Sequence, residues 1–202
     1  LFDVTLMPVT GEVTYGRGRL GDYSTGFWSE ADRTQEVVEP GYYSVPLTRY
    51  NILAEMTATE RGGLHRYTFP ASDEAAIILD LVHGGCFDRP EDLFAEAVSD
   101  TRVVGRRHSW GWSNNQKVYF VIEFSKPFDK FEPIGENGFY YRIHFKTEEG
   151  EQIGVKVALS STSPAGAELN FSTEVKDKDF DTVRKETRAK WQNELRKIRI
   201  YG

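Results

Sequence analysis

Apolar and polar residues alternate with a period of two in several segments of the chain. This alternation occurs in residues 65–69, 117–128, 141–146 and 153–160. A period of two is typical of a β-strand that buries one face. Residues 77–82 are apolar almost throughout, which predicts a strand buried on both faces.

Turn-forming residues separate these apolar segments. They occur at Glu39-Pro40-Gly41, Arg61-Gly62-Gly63, His83-Gly84-Gly85, Glu136-Asn137-Gly138 and Glu149-Gly150. About ten strands at this spacing, without intervening helices, predict an all-β fold of two packed antiparallel sheets. The segment from Arg89 to Val98, which follows a turn and contains Pro90, instead predicts a short helix within a loop. We expect residues 1–176 to form this β-sandwich domain.

The pattern changes to a helical period near the C-terminus. One stripe contains Phe180, Val183, Trp191, Leu195 and Ile198, with Thr187 filling the gap. Asp179 suits the N-cap position, and the pairs Asp181–Lys185 and Glu186–Lys190 have the spacing that supports a helix. This predicts an amphipathic linker helix within residues 177–202, of about 20 residues. Its apolar stripe would rest on this domain or on the next.

Composition excludes several classes of protein. The chain has 202 residues, of which 39% are hydrophobic and 28% charged, so neither disorder nor a membrane span is predicted. A net charge of −6 argues against a nucleic-acid partner. Cys86 is the only cysteine, so no intrachain disulfide can form. Because the chain begins at Leu1 inside a strand-like segment, we interpret its start as trimmed or processed.

Two short motifs have ordinary structural interpretations. The string from Gly16 to Gly21 matches GxGxxG, but no strand and helix flank it, so we interpret it as a glycine-rich hairpin loop. Asn170-Phe171-Ser172 matches the glycosylation acceptor string, which is short enough to occur by chance. Neither motif supports a function.

The titratable residues do not form a recognisable catalytic or metal-binding pattern. The histidines are His65, His83, His108 and His144, and none has the spacing of a zinc site. For His65 and His144 we expect a hydrogen-bonded histidine within a sheet, and we set aside a Cys86–His83 nucleophile pair. Carboxylates are abundant, so a glycosidase acid and base cannot be selected by residue type. The residue pattern alone therefore assigns no catalytic residue and no metal ligand.

Several aromatic residues lie in turn-like or strand-edge segments. They are Trp28, Tyr42, Tyr43, Trp110 and Trp112. Exposed rings could stack on sugars, although packing in the core or against another domain is the commoner role of such residues. From these residues alone the function stays open.

Longer motifs resemble the N-terminal domain of glycoside hydrolase family 92. The segments that carry the resemblance are PGYYSV at 40–45, EMTATERGGLHRYTFP at 55–70, IILDL at 77–81, GRRHSWGW at 105–112 and VYFVIEFSKPF at 118–128. The C-terminal segment 180–198 resembles the helix that leads into the family's catalytic domain. Arg33 stands where the family has a histidine and Val38 where it has an alanine, whereas Glu36 keeps the family residue. The resemblance covers nearly the whole chain.

The resemblance implies a fold, an activity and partners. The fold would be a galactose mutarotase-like β-sandwich followed by an (α/α)6 barrel in the same polypeptide. The activity would be that of an exported, inverting, Ca²⁺-dependent exo-α-mannosidase acting on mannose-containing glycans, in which the barrel supplies the acid, the base and most calcium ligands. This chain would then be non-catalytic and would hold no cofactor itself. Its candidate substrate-binding residues are Trp28, Glu36, Trp110 and Trp112.

Three functional hypotheses follow. In the first, the chain packs on an α-mannosidase barrel, of α-1,2 specificity or another, and completes the sugar pocket. In the second, it is an independent carbohydrate-binding module that binds sugar through Trp110 and Trp112. In the third, it is a sandwich that only stabilises the barrel.

Overall fold

The computed structural model describes residues 3–19, 21–22, 24–85, 87–135 and 138–198, and these form two antiparallel sheets followed by two helices. The strands are β1 (Thr5–Thr10), β2 (Val37–Glu39), β3 (Tyr42–Leu47), β4 (Ile52–Ala58), β5 (Gly62–Phe69), β6 (Ser72–Asp80), β7 (Asp88–Ala97), β8 (Arg102–Gly111), β9 (Gln116–Phe124), β10 (Lys130–Ile134), β11 (Tyr140–Thr147) and β12 (Glu151–Ser160). The helices are α1 (Pro164–Glu174) and α2 (Phe180–Leu195). The predicted all-β sandwich is confirmed.

The two sheets differ in size. The smaller has the order β1-β6-β11-β10, and the larger has the order β2-β3-β4-β5-β12-β9-β8-β7. Strand β6 lies between β1 and β11, and its residues from Ala75 to Leu79 have no exposed surface. The prediction of a strand buried on both faces is therefore confirmed.

Two apolar clusters hold the layers together. The main core lies between the sheets and includes Phe69, Ile77, Phe120 and Phe145. The second cluster lies on the outer face of the larger sheet, where both helices cover it. Its buried members are Leu64, Val121, Ala158, Ala167, Phe171, Val175, Phe180 and Val183. Burial of these residues fixes the helices to the sheet because apolar area leaves water.

The segment from Arg89 to Val98 is not a helix, so that prediction was wrong. It belongs to β7, which pairs with β8 along almost its whole length. Strand β7 is the last in the sheet, so the missing N–H of Pro90 costs no ladder bond on the open side. The register shifts between Pro90 and Asp92, which is where a bulge accommodates the proline.

Two C-terminal helices are present where one was predicted. Helix α1 begins with Ser163 as N-cap, whose side chain accepts from the Gly166 N–H at 3.0 Å, and Pro164 occupies the first turn. Helix α2 begins after Asp179, which accepts from the Thr182 N–H at 2.7 Å, so the predicted N-cap is confirmed. Neither helix is long and apolar enough to cross a membrane, within the residues described.

Some predictions fall partly outside the described residues. Residues 16–19 and 21–22 form turns with one isolated bridge between Arg19 and Asp22, whereas position 20 lies outside. The same holds for residues 1–2 of the first strand-like segment, for Cys86, for residues 136–137 of one predicted turn, and for residues 199–202 of the C-terminal segment.

The larger sheet has two distinct ends. We call the helix end the one that carries residues 40–41, 59–61 and 112–115, because α2 runs along β4 and β5 towards it. The opposite end carries residues 48–51, 98–101 and 148–150. Antiparallel pairing of all eight strands places these turns alternately at the two ends.

Candidate functional site

The first half of α2 lies on a polar surface of the larger sheet. The centre of this surface is Glu55 of β4, which is 6% exposed. Its carboxylate accepts from the Tyr42 hydroxyl at 2.8 Å and from Arg66 Nε and Nη2 at 2.7 and 2.8 Å. Arg66 holds the pKa of Glu55 below its ordinary value, so the buried carboxylate stays ionised. Glu55 is buried and both of its carboxylate oxygens are bound within the domain, so it has a structural role.

Side chains of α2 complete this surface. Arg66 Nη1 lies 3.3 Å from both oxygens of Asp181, and its guanidinium lies 4.4 Å from the Phe180 ring centre. Arg184 lies 3.4 Å above the Tyr42 ring. We call Tyr42, Glu55 and Arg66 the helix seat. Asp181 of α2 therefore pairs with Arg66 of the sheet. Glu186 of α2 pairs with Lys178, at a distance of 2.5 Å between Oε2 and Nζ.

Further towards the helix end, α2 contacts the turns of the sheet. Gly41 has φ +81°, and a Cβ built there would lie 2.7 Å from Thr187 Cγ2, so only glycine fits this turn under the helix. The Thr187 hydroxyl donates to the Ala58 carbonyl at 2.7 Å. Lys190 reaches Glu60 at 3.6 Å. The helix position is thus fixed up to about its third turn.

The apolar stripe of α2 is divided between two environments. Phe180 and Val183 are buried against the sheet. Trp191 and Leu195 are 51% and 59% exposed, and Ile198, which the pattern placed on the helix, lies beyond its end and is 80% exposed. The predicted stripe therefore rests on this domain only in its first half, and its second half is largely exposed.

A cavity of about 750 Å³ lies between the end of α2 and the sheet. Its lining includes Tyr43, Met56, Glu60, His65 and Trp191. This volume is within the range that binds small molecules, and the lining is mainly apolar. His65 faces the cavity, and burial lowers its pKa to about 4, so the imidazole is neutral at neutral pH.

The histidines have the structural role that the sequence predicts. His65 Nδ1 lies 2.6 Å from the Tyr67 hydroxyl, and His144 Nε2 lies 2.6 Å from Glu132 Oε1, which confirms hydrogen-bonded sheet histidines. His83 Nδ1 lies 3.1 Å from buried Asp80. Asn170 of the acceptor string lies in α1, where its amide donates to the Leu159 carbonyl at 2.8 Å.

The four candidate substrate-binding residues do not come together. Trp110 and Trp112 lie at the helix end on β8 and just after it, and they are 43% and 90% exposed. Glu36 accepts from the Tyr43 hydroxyl at 2.5 Å, so it borders the cavity through Tyr43. Trp28 lies near the opposite end, where its carbonyl accepts from Arg49 Nη1 at 2.8 Å. Contact of any of the four with sugar stays a prediction.

The described residues offer no ready metal centre. No group of three or more His, Cys, Asp or Glu side chains there is arranged so that it could hold a metal ion.

The sequence profile of the glycosyl hydrolase family 92 N-terminal domain matches residues 1–160. The chain belongs to this family. The match ends at the last residue of β12, so it covers both sheets of the family 92 domain and stops before α1. No curated protein sequence matches the chain.

Solved structures of enzymes from the same family resemble this chain. A family GH92 α-mannosidase from Bacteroides thetaiotaomicron matches with a TM-score of 0.93 and 29% identity over 100% of this chain and 30% of its own. The GH92 glycosyl hydrolase ccman5 has a TM-score of 0.81, at 25% identity over 98% of this chain and 29% of its own. An inverting GH92 mannosidase from Bacteroides thetaiotaomicron, at 22% identity and a TM-score of 0.77, covers 98% and 27% and supports the fold alone. This chain thus spans less than a third of the length of these enzymes.

The segments that resemble family 92 have a definite place in this domain. Gly41, Tyr42, Glu55 and Arg66 belong to those segments and build the helix seat or the turn beside it. Thr59, in the same segment, donates to Glu174 of α1 at 2.5 Å. The longest family 92 segment therefore holds the two helices. Sequence reasoning missed this role, although a Glu and an Arg on facing strands are the signal of a cross-strand ion pair.

Proposed function

We propose that this chain is the N-terminal domain of an exo-acting α-mannosidase and packs on the catalytic domain through the helix end. The exposed half of α2 carries this proposal, because Trp191, Leu195 and Ile198 continue an apolar stripe whose first half is buried. Exposed apolar side chains in a row are typical of a surface that another domain covers. The proposed α-mannosidase activity is inferred from the similar enzymes of family GH92. This chain covers about 30% of the length of the first of these enzymes.

The cavity beside α2 would then form one wall of the sugar pocket. Ligand sites are common between domains, where each domain supplies one rigid wall. The wall here combines aromatic side chains, Tyr43 and Trp191, with the carboxylate of Glu60. Tyr43 is held in place because its hydroxyl donates to Glu36. These residues would bind and orient the sugar, whereas the acid and the base would come from the catalytic domain.

The same proposal covers the calcium ion of the parent enzyme, the glycosidic linkage that it cleaves and the compartment in which it acts. Inverting hydrolysis needs a general base that activates water and a separate general acid. Calcium bound in the parent enzyme would distort and polarise the mannose, and its ligands would lie in the catalytic domain. We further propose cleavage of α-1,2 linkages, and export of the parent enzyme to the periplasm, the cell surface or the medium.

Hydrolysis of a chromogenic α-mannoside in the presence of calcium tests the proposal. The 202-residue chain alone should give no turnover, and the protein that continues through the catalytic domain should be active. In the longer protein, Trp191→Ala should lower kcat/KM by about tenfold or more, as for a central interface residue. Val98→Ala is the matched control, because Val98 is 53% exposed but lies at the opposite end. Turnover by the 202-residue chain, or equal effects of the two substitutions, would contradict the proposal.

A further inference from the structure

Three aromatic side chains are exposed together where β7 begins and β8 ends. Phe87 is 95% exposed, Trp112 is 90% exposed and Trp110 is 43% exposed, and all three line one shallow cleft. Side chains of this size are rarely left in water as a group on a protein that acts alone. We call these three residues the aromatic patch.

The backbone under the aromatic patch is rigid. Arg107 of β8 has no exposed surface, and its Nη1 lies 2.5 Å from Asp88 and 2.9 Å from Asp3. Its Nε donates to the Leu81 carbonyl at 2.8 Å. A Cβ at Gly111 would lie 1.9 Å from the Phe87 carbonyl oxygen, so the two segments are in close contact. The backbone segments that carry the patch are therefore held next to each other.

The two charged side chains of the cleft each have a contact within the domain. The Asp88 carboxylate is bound by Arg107, and the Arg89 guanidinium lies 4.9 Å from the Trp110 ring centre, over the face of that ring. A sugar site needs polar groups that converge on hydroxyls beside the stacking ring. Among the described residues that line the cleft the only carboxylate is paired, so mainly aromatic area is left for a partner, which fits an apolar protein surface better than a sugar.

We propose that the aromatic patch is a second docking point, covered by the catalytic domain of the same polypeptide. This inference rests on the proposed function and adds a contact to it. The patch lies at the helix end, as does the exposed half of α2, and the chain spans only about 30% of the length of its GH92 neighbour, so a large domain is available to cover both. From β4, which lies under α2, to β8 there are four strand spacings, roughly 19 Å along the sheet. Two contacts this far apart would fix the orientation of the domain as well as its attachment.

Hydroxyl-radical footprinting with mass spectrometry tests this second contact. Labelling of Phe87, Trp112 and Trp191 is compared between the 202-residue chain and the protein that includes the catalytic domain. Phe87 and Trp112 should label roughly tenfold more slowly in the longer protein, because residues in an interface lose most of their accessible area. Phe94, which is 36% exposed and lies in the middle of β7, serves as the control and should label equally in both.

The outcomes separate this inference from the proposed function. If Trp191 is protected while Phe87 and Trp112 label equally in both proteins, the second docking point is wrong and the proposed function stands. If none of the three is protected, both are wrong. If mannose or a mannobiose protects Trp112 in the 202-residue chain, the patch is a sugar-binding platform and the inference is overturned.

A paired substitution gives an independent measurement. Phe87→Ala with Trp112→Ala should leave the Tm of the 202-residue chain within about 2 °C, since exposed side chains contribute little to folding. In the longer protein the same pair should split the thermal transition or lower its midpoint by several degrees. An equal shift in both proteins would show that the patch stabilises only its own domain and would overturn the inference.

Discussion

The helix end and the opposite end of the larger sheet have different surfaces. The exposed apolar side chains of the helix end are Val38, Phe87, Trp110, Trp112, Leu159, Leu169, Trp191, Leu195 and Ile198. At the opposite end, Leu53 and Val98 are the only large apolar side chains that the described residues expose. Charged groups lie beside them, such as Glu149 and the pair of Lys126 with Glu151. The turns at the two ends are built by the same strands, so the contrast lies in the side chains.

The helix end has an exposed ion pair, Lys190 with Glu60, and also a buried one that differs from the pair of Lys126 with Glu151. At the helix end, Arg107 and Asp88 are 0% and 10% exposed, whereas Lys126 and Glu151 at the opposite end are 34% and 27% exposed. A buried pair costs desolvation and becomes rigid, whereas an exposed pair contributes little and stays in water. The helix end thus combines a rigid interior with an apolar surface, as expected of a face that meets another domain.

Loss of Arg107 should give the largest effect on stability. Arg107→Ala leaves the buried Asp88 carboxylate without the charge that neutralises it, and we expect a loss of about 3 to 5 kcal/mol in the free energy of unfolding. Lys126→Ala at the opposite end should cost about 1 kcal/mol or less, because its pair is solvated. Urea unfolding of the 202-residue chain measures both. Similar losses would remove the distinction between the two ends.

Acid should destabilise the helix end through His65. Burial lowers the pKa of His65 to about 4 from an ordinary value of 6.5, so the unfolded chain binds a proton that the folded chain does not. The contribution of His65 is complete above pH 6.5 and is lost as the pH falls towards 4, by about 1 to 3 kcal/mol, because one side of the ring borders the cavity. His65→Gln should flatten the stability profile in this window. An unchanged slope between pH 6.5 and 4 would contradict the assignment.

The sheets could be predicted from sequence because burial of one strand face leaves a period of two. The central strand around Ile77 to Leu79 follows the same logic, since burial on both faces leaves no polar position. Strand β7 was missed for a related reason. Its exposed edge tolerates Pro90 and alternating acidic residues, and a helix tolerates them equally well at its start.

Helix α1 was missed although its start has a clear signal. Ser163 followed by Pro164 is a common N-terminus of a helix, but the segment has few apolar residues and its burial depends on Ala167 and Phe171 alone. The contact between the helix seat and α2 was missed because its partners, such as Arg66 and Asp181, are more than a hundred residues apart in the sequence. The exposed state of Trp112 could not be predicted either, because exposure depends on what the rest of the fold covers.

Replacement of Gly41 by alanine should show a smaller difference between the two ends in the free energy of unfolding. Gly41 and Gly150 both have positive φ angles, +81° and +75°, so alanine carries a similar backbone cost of about 1 to 2 kcal/mol at each. Only at Gly41 does the new Cβ meet α2, 2.7 Å from Thr187, whereas nothing lies within 4 Å at Gly150. Gly41→Ala should therefore cost about 1 kcal/mol more and reduce the helical circular dichroism signal. Equal costs would mean that α2 is not held closely at this turn.

Removal of Trp191 from the 202-residue chain should give the smallest effect. Its side chain is half exposed on a helix segment without a strand beneath it, so Trp191→Ala should change the free energy of unfolding by about 0.5 kcal/mol or less. Phe180→Ala, on the buried half of the same stripe, should cost about 3 kcal/mol or more. A tryptophan that contributes so little to its own fold is explained by a surface that another domain covers. A large loss in urea unfolding of the Trp191 variant would mean that the stripe serves this domain alone.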